Sequence, residues 1–111
     1  MLDKTEAREI AQKYSDEVCR ILNPKAVILF GSYVTGKPHE FSDIDIAVIF
    51  ENYNGDWYNT SILLQRLRRN VKDNSGGGIE PHLLVETHDR SGFLAHIKKT
   101  GEYIYSGNTA V

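Results

Sequence analysis

One cysteine, Cys19, is the only thiol in the 111-residue sequence. A single thiol excludes an internal disulfide framework and a cysteine-rich zinc site, and it suits a reducing, cytoplasmic setting. Cys19 itself reads as a small buried residue on a helix. An excess of one charge is also lacking. Thirteen Lys and Arg stand against fifteen Asp and Glu, for a formal net charge of -2. That balance makes no electrostatic case for gripping a nucleic-acid duplex. Long hydrophobic runs are absent: no stretch approaches the roughly 18 apolar residues that span a bilayer. The opening residues are charged and helix-like and carry no apolar h-region, so no signal peptide is expected. There is no internal repeat, and the low-complexity patch Ser75-Gly76-Gly77-Gly78 reads as a turn. These absences leave a soluble, cytoplasmic protein built as one domain over residues 1–111. A domain of this size buries about 65% of its unfolded surface and has little chain left for a second, substrate-recognising domain.

Apolar periodicity supplies the elements. Asp3 with Glu6 three residues on has the form of a capping box. Ala7, Ile10, Ala11, Tyr14, Val18, Ile21 and Leu22 then recur at helical spacing, and Asn23-Pro24 ends the run. Residues 26–30 and 44–50 are short apolar runs of the kind found in interior strands. Between Trp57 and Val71 the stripe Ile62, Leu63, Leu64, Leu67, Val71 predicts a second long helix, ending in the basic run Arg66, Arg68, Arg69, Lys72. Residues 79–85 read as a third strand, with Pro81 suggesting an edge or an irregular segment. Phe93, Leu94 and Ile97 predict a last short helix, with Gly101 as its C-terminal punctuation. Tyr103 to Tyr105 suggest a final strand. The order implies an α/β (α+β) domain with a small mixed β-sheet flanked by helices.

The chemistry gathers at two strand ends. Alternation along a strand puts Asp43 and Asp45 on one face, about 7 Å apart at the backbone. Ile44 and Ile46 then point into apolar packing. Two carboxylates so placed can converge on divalent ions about 4 Å apart, as two-metal phosphoryl chemistry requires. Oxygen ligands favour a hard ion such as magnesium. Without a cation the two like charges repel. Gly31-Ser32 follows the other strand directly. Glycine lets backbone amides approach a phosphate, serine adds a hydroxyl, and a helix starting there aims its positive end at the anion. Glu80 sits near the start of the third strand. If that strand neighbours the Asp43–Asp45 strand, Glu80 can reach the same metals or accept a proton from an attacking hydroxyl. His82 shares the face of Glu80 by alternation.

Gly31-Ser32, ten intervening residues and Asp43-Ile44-Asp45 reproduce the signature of the DNA polymerase beta-like nucleotidyltransferase superfamily. The short chain resembles its minimal nucleotidyltransferases (MNT), many of which are the antitoxins of HEPN/MNT toxin–antitoxin pairs. The resemblance implies a polymerase beta palm-like fold, ATP or another nucleoside triphosphate as donor, two magnesium ions and transfer of a nucleoside monophosphate. It makes Asp43 and Asp45 metal ligands, lets Gly31 and Ser32 hold the triphosphate, and sets Glu80 in the place of a third acidic residue, both ligand and catalytic. The family often has an arginine before the glycine that follows the Gly-Ser turn. Here Thr35 precedes Gly36, and Lys37 is the candidate for the missing charge. Glu80 is one methylene longer than the usual aspartate and is followed by Pro81.

Each feature also has a plainer reading. Ser42-Asp43 is a turn cap, Glu80 an exposed edge-strand charge, and His82 a satisfied structural histidine. The basic run is a solvated helix end, and Trp57, Tyr53 and Tyr58 are core or rim aromatics rather than a base-stacking or partner-facing surface. For function, the first expectation is an enzyme that transfers AMP from ATP to an acceptor hydroxyl. Resemblance suggests that this is a tyrosine of a HEPN toxin. The alternative is a binding module that neutralises a HEPN ribonuclease by contact alone. Nucleic-acid end extension ranks last because no basic face is evident. Nucleotide preference and oligomeric state, a homo-oligomer included, stay open.

Overall fold

The chain opens as the sequence predicts, with Asp3 and Glu6 capping one another. The Asp3 carboxylate accepts the Glu6 amide at 2.8 Å, and the Glu6 carboxylate accepts the Asp3 amide at 3.1 Å. The computed structural model describes residues 3–38, 42–52, 55–71, 78–89 and 91–107. Helix α1 (Lys4–Ile21) buries Ala7, Ile10, Ala11, Tyr14 and Val18. Ile21 departs from its predicted place in this stripe and is 46% exposed. The helix ends there and the backbone of Leu22 is already extended, so Leu22 turns onto the core instead.

Strands β1 (Ala26–Phe30), β2 (Ile44–Phe50), β3 (Ile79–Val85) and β4 (Glu102–Ser106) form one sheet in the order β3-β2-β1-β4. β1 is antiparallel to both β2 and β4, whereas β2 and β3 run parallel. The sheet is therefore mixed, and β3, with its Pro81, lies at an edge as the missing amide donor requires. The two interior strands are covered on both faces. Val27, Leu29, Ile44, Ile46 and Val48 meet α1 and α3 (Trp57–Leu67). Ala26, Ile28, Ala47 and Ile49 meet Leu94 and Ile97 of α4 (Phe93–Thr100), taking α2 as the one-turn helix Ser32–Thr35.

α3 is shorter than its apolar stripe. It tightens into a 3-10 turn over Arg68–Asn70, yet Val71 still reaches the core. Arg68 accounts for the change: its guanidinium donates to the carbonyls of Gln65 at 3.0 Å and Ile79 at 3.2 Å, tying the helix end to β3. Lys72, Tyr53 and residues 75–77, singled out in the sequence, lie outside the described residues. Trp57 and Tyr58 are exposed at the rim. No helix among the described residues is long and apolar enough to cross a membrane.

Gly101 ends α4 as the sequence predicts, with an extended backbone at φ -83°. Close packing demands the glycine. A Cβ here would lie 2.5 Å from Ile28 Cγ2 and 2.9 Å from the Leu29 carbonyl oxygen. Gly101→Ala is therefore expected to cost about 1–3 kcal/mol in urea unfolding, because the overlap falls on packed core and backbone. An unchanged midpoint would show that α4 can shift to absorb the methyl.

Candidate active site

The strand β2 reads IDIAVIF, and strict alternation sorts it into two faces. Ile44, Ile46 and Val48 turn to α1 and α3, which leaves Asp45, Ala47 and Ile49 on the α4 side. Asp45 sits at the open end of that face. Across the sheet it is opposite Phe30 of β1 and Glu80 of β3. Glu80, His82 and Leu84 share its face of β3 by the same alternation. The pairing of β2 with β3 thus supplies the juxtaposition that sequence reasoning could pose only as a condition.

Donor atoms of Asp45, Glu80 and His82 all lie within 4.8 Å of one another. His82 Nε2 is 3.2 Å from Asp45 Oδ1. The His82 ring is held edge-on to Phe30, with centroids 5.0 Å apart at 61°. Phe30 is held in turn by Phe93, the first residue of α4, at 5.9 Å and 82°. Asp43, just before β2, joins the group through a hydrogen bond between its carboxyl and that of Glu80.

Gly31 closes the site from the β1 side. Its φ of 85° and ψ of -155° are available essentially to glycine alone. A Cβ at this position would fall onto the Asp45 carboxylate, Oδ2 first. The missing side chain thus makes room for the acid as well as for any phosphate. Gly31 also caps α2, whose first intrahelical donors are the amides of Val34 and Thr35, both 3.0 Å from the Gly31 carbonyl. The amides of Ser32 and Tyr33 precede these and lie at the positive end of the turn. Ser32 is half-buried there. Lys37 follows Gly36 and is exposed, and nothing among the described residues ties it to the carboxylates.

The electrostatics carry a sign of missing positive charge. The Glu80 carboxyl is raised above its ordinary value, chiefly by the hydrogen bond to Asp43, which needs a proton, and then by desolvation. His82 is raised by its hydrogen bond to Asp45, against desolvation. Among the described residues no Lys or Arg forms an ion pair with Asp43, Asp45 or Glu80. Carboxylate oxygens and one imidazole nitrogen, gathered at a half-exposed strand end, are a donor set that fits a divalent cation.

These shifts fix a pH dependence. Both groups have folded values raised above the unfolded ones, 4.5 for Glu80 and 6.5 for His82. Their contribution to the cation-free fold is full below those values and is lost as pH rises through the folded ones. A cation needs both groups deprotonated, so its binding releases protons and tightens over the same rise. Thermal melts with and without divalent ion should show a larger stabilisation at pH 8 than at pH 5. An equal shift at both would mean that these groups do not bind the ion.

The structure brings Gly31, Asp45 and Glu80 together, links Asp43 through Glu80, and starts α2 at Ser32. It also puts His82 in the cluster, although its plainer reading was structural. Alternation with Glu80 was the signal for it. Phe30 had a fainter one, as the strand residue immediately before Gly31, and Phe93 had none.

Comparison with known proteins follows the same lines. The family model described as polymerase beta, nucleotidyltransferase matches residues 6–110. Over 46 residues the chain is 41% identical to a provisionally assigned protein adenylyltransferase of Methanocaldococcus jannaschii. That stretch is 41% of this chain and 54% of the relative, so the match spans about half of that protein's length. The crystal structure of a provisionally assigned nucleotidyltransferase from Sulfolobus solfataricus superposes with a TM-score of 0.65 at 19% identity, covering 93% of this chain and 83% of that one. At that identity the likeness is one of fold.

Proposed function

The chain belongs to the polymerase beta nucleotidyltransferase family, and from that premise we propose that it is an enzyme transferring a nucleoside monophosphate, AMP from ATP, to an acceptor hydroxyl. The observation that carries this reading is the convergence of Gly31, Asp45 and Glu80 from three adjacent strands or strand ends, with Asp43 alongside.

The amides at the start of α2, with the Ser32 hydroxyl, would receive the triphosphate. Asp43, Asp45 and Glu80 would hold divalent cation. When bound, the cation neutralises charge on the triphosphate and on the departing pyrophosphate. The acceptor oxygen attacks the α-phosphorus, forming one P–O bond as the bond to the β-phosphate oxygen breaks. The hydroxyl proton passes to a carboxylate, for which Glu80 is placed, lying at the exposed margin of the cluster. Glu80 can accept it only when ionised.

The acceptor we propose is a protein hydroxyl. Support comes from the adenylyltransferase name of the archaeal relative. A tyrosine on a HEPN-type partner is the specific candidate, on the strength of the minimal-nucleotidyltransferase resemblance, and would make the chain an antitoxin acting in the cytoplasm. The test uses α-labelled ATP, divalent ion and the candidate partner, with Asp45→Asn in parallel. Label should appear on the partner and vanish with the variant. Neutralisation of the partner by the variant without any label would sink the enzyme reading and leave a binding module.

A further inference from the structure

We propose that His82 binds the cation directly through Nε2, which makes this a mixed oxygen–nitrogen site that takes manganese in preference to magnesium. The inference rests on the metal reading of the Asp45 cluster and revises the magnesium that family resemblance implies.

The geometry separates His82 from an ordinary edge-strand histidine. An octahedral ion with ligands at about 2.1 Å sets neighbouring ligand atoms about 3.0 Å apart and opposite ones about 4.2 Å apart. His82 Nε2 and Asp45 Oδ1 are already 3.2 Å apart, and the donors of all three residues lie within 4.8 Å. The His82–Asp45 pair is already at the spacing of neighbouring ligands, and Glu80 lies close enough to complete the set by side-chain adjustment. Aim is fixed from behind. Phe93 braces Phe30, and Phe30 braces the imidazole, so Nε2 is turned to Asp45 and the ring is not left to sample solvent. Register adds the third point. Glu80 is opposite Asp45 and His82 is opposite Ala47, so the two β3 side chains flank the same carboxylate from the neighbouring strand. The His82 side chain is 30% exposed, which leaves an ion a path to it.

Donor chemistry then decides the ion. Magnesium keeps to oxygen ligands and parts with its waters reluctantly. Imidazole suits first-row transition ions such as zinc, iron and nickel, and manganese is the member of that row that shares magnesium's carboxylate sites. A site that combines Asp45 and Glu80 with an imidazole should therefore bind manganese at least about 10-fold more tightly than magnesium.

The experiment uses the full chain with Mn2+ alone and no nucleotide. Continuous-wave EPR counts bound against free ion, with Mg2+ as competitor, and pulsed EPR reads nitrogen coupling to the bound ion. Wild type should show one directly coordinated nitrogen. In His82→Gln the coupling should disappear and manganese affinity fall by about 10-fold or more, with a smaller loss for magnesium. Bound manganese without nitrogen coupling in wild type overturns the His82 assignment and leaves the metal site standing. Coupling that persists in His82→Gln, or equal affinity for the two ions, also overturns it. Failure of wild type to bind manganese at all overturns the metal reading as well. The wild-type spectrum decides the matter even if the variant folds poorly.

Discussion

Asp45→Asn should lower nucleotidyl transfer about a thousandfold or more, equal to about 4 kcal/mol of transition-state stabilisation, while leaving the cation-free fold as stable as before or more so. The two halves of this expectation come from one cause. Asp45 stands at the centre of the site, opposite Phe30 and Glu80 and in contact with His82. In the absence of a cation it adds negative charge beside Asp43 and Glu80, whose crowding already raises the Glu80 carboxyl. Asparagine keeps the shape and can still accept from His82, but removes that charge. The folded protein keeps its packing, and the ion loses one of its carboxylate ligands. Steady-state transfer assays and melts in chelator check both halves. A variant that loses activity and melting temperature together would point to Asp45 as a structural residue.

Gly31→Ala should be as damaging to transfer and, unlike Asp45→Asn, should also destabilise the protein by about 1–3 kcal/mol. Its backbone occupies a region that a side chain strains, and the new Cβ would meet the Asp45 carboxylate. Relief requires Asp45 to swing out of the cluster. Gly36 serves as the internal comparison. Its φ of 84° is nearly the same, but a Cβ there meets nothing within 4 Å. Gly36→Ala should cost about 1–2 kcal/mol for the left-handed backbone and leave cation binding intact. Urea unfolding measures the stabilities, and calorimetric titration with divalent ion measures the site. If both variants keep wild-type cation affinity, the contact between Gly31 and Asp45 does not shape the site.

The parts of this arrangement that depend on local rules were legible in the sequence. The two-residue period of a strand separates Asp45 from Ile44 and Ile46 without any knowledge of the fold. The capping box at Asp3 and Glu6, the strand edge at Pro81 and the stop after Leu22 are likewise local. What was not legible depends on pairing between distant segments. Glu80 could be aligned with Asp45 only conditionally, because nothing within residues 79–85 says which strand they join. Alternation aligns His82 with Glu80 but cannot reveal its partner Asp45, which lies 37 residues away. Gly101 shows the limit from another direction. A glycine after a helix reads as a stop, yet here Ile28 and Leu29, far off in sequence, also exclude a side chain. The brace from Phe93 through Phe30 to His82 needs the placement of α4, and helical periodicity does not carry that information.

The most direct test of the central claim, that this cluster is a metal-dependent triphosphate site, is equilibrium binding of a non-hydrolysable ATP analogue with and without divalent ion, in wild type and Asp45→Asn. No acceptor is needed. Wild type should bind the analogue only when the ion is present, and Asp45→Asn should lose most of that ion-dependent affinity while remaining folded. Binding of equal strength without the ion, or unchanged binding in the variant, would contradict the claim.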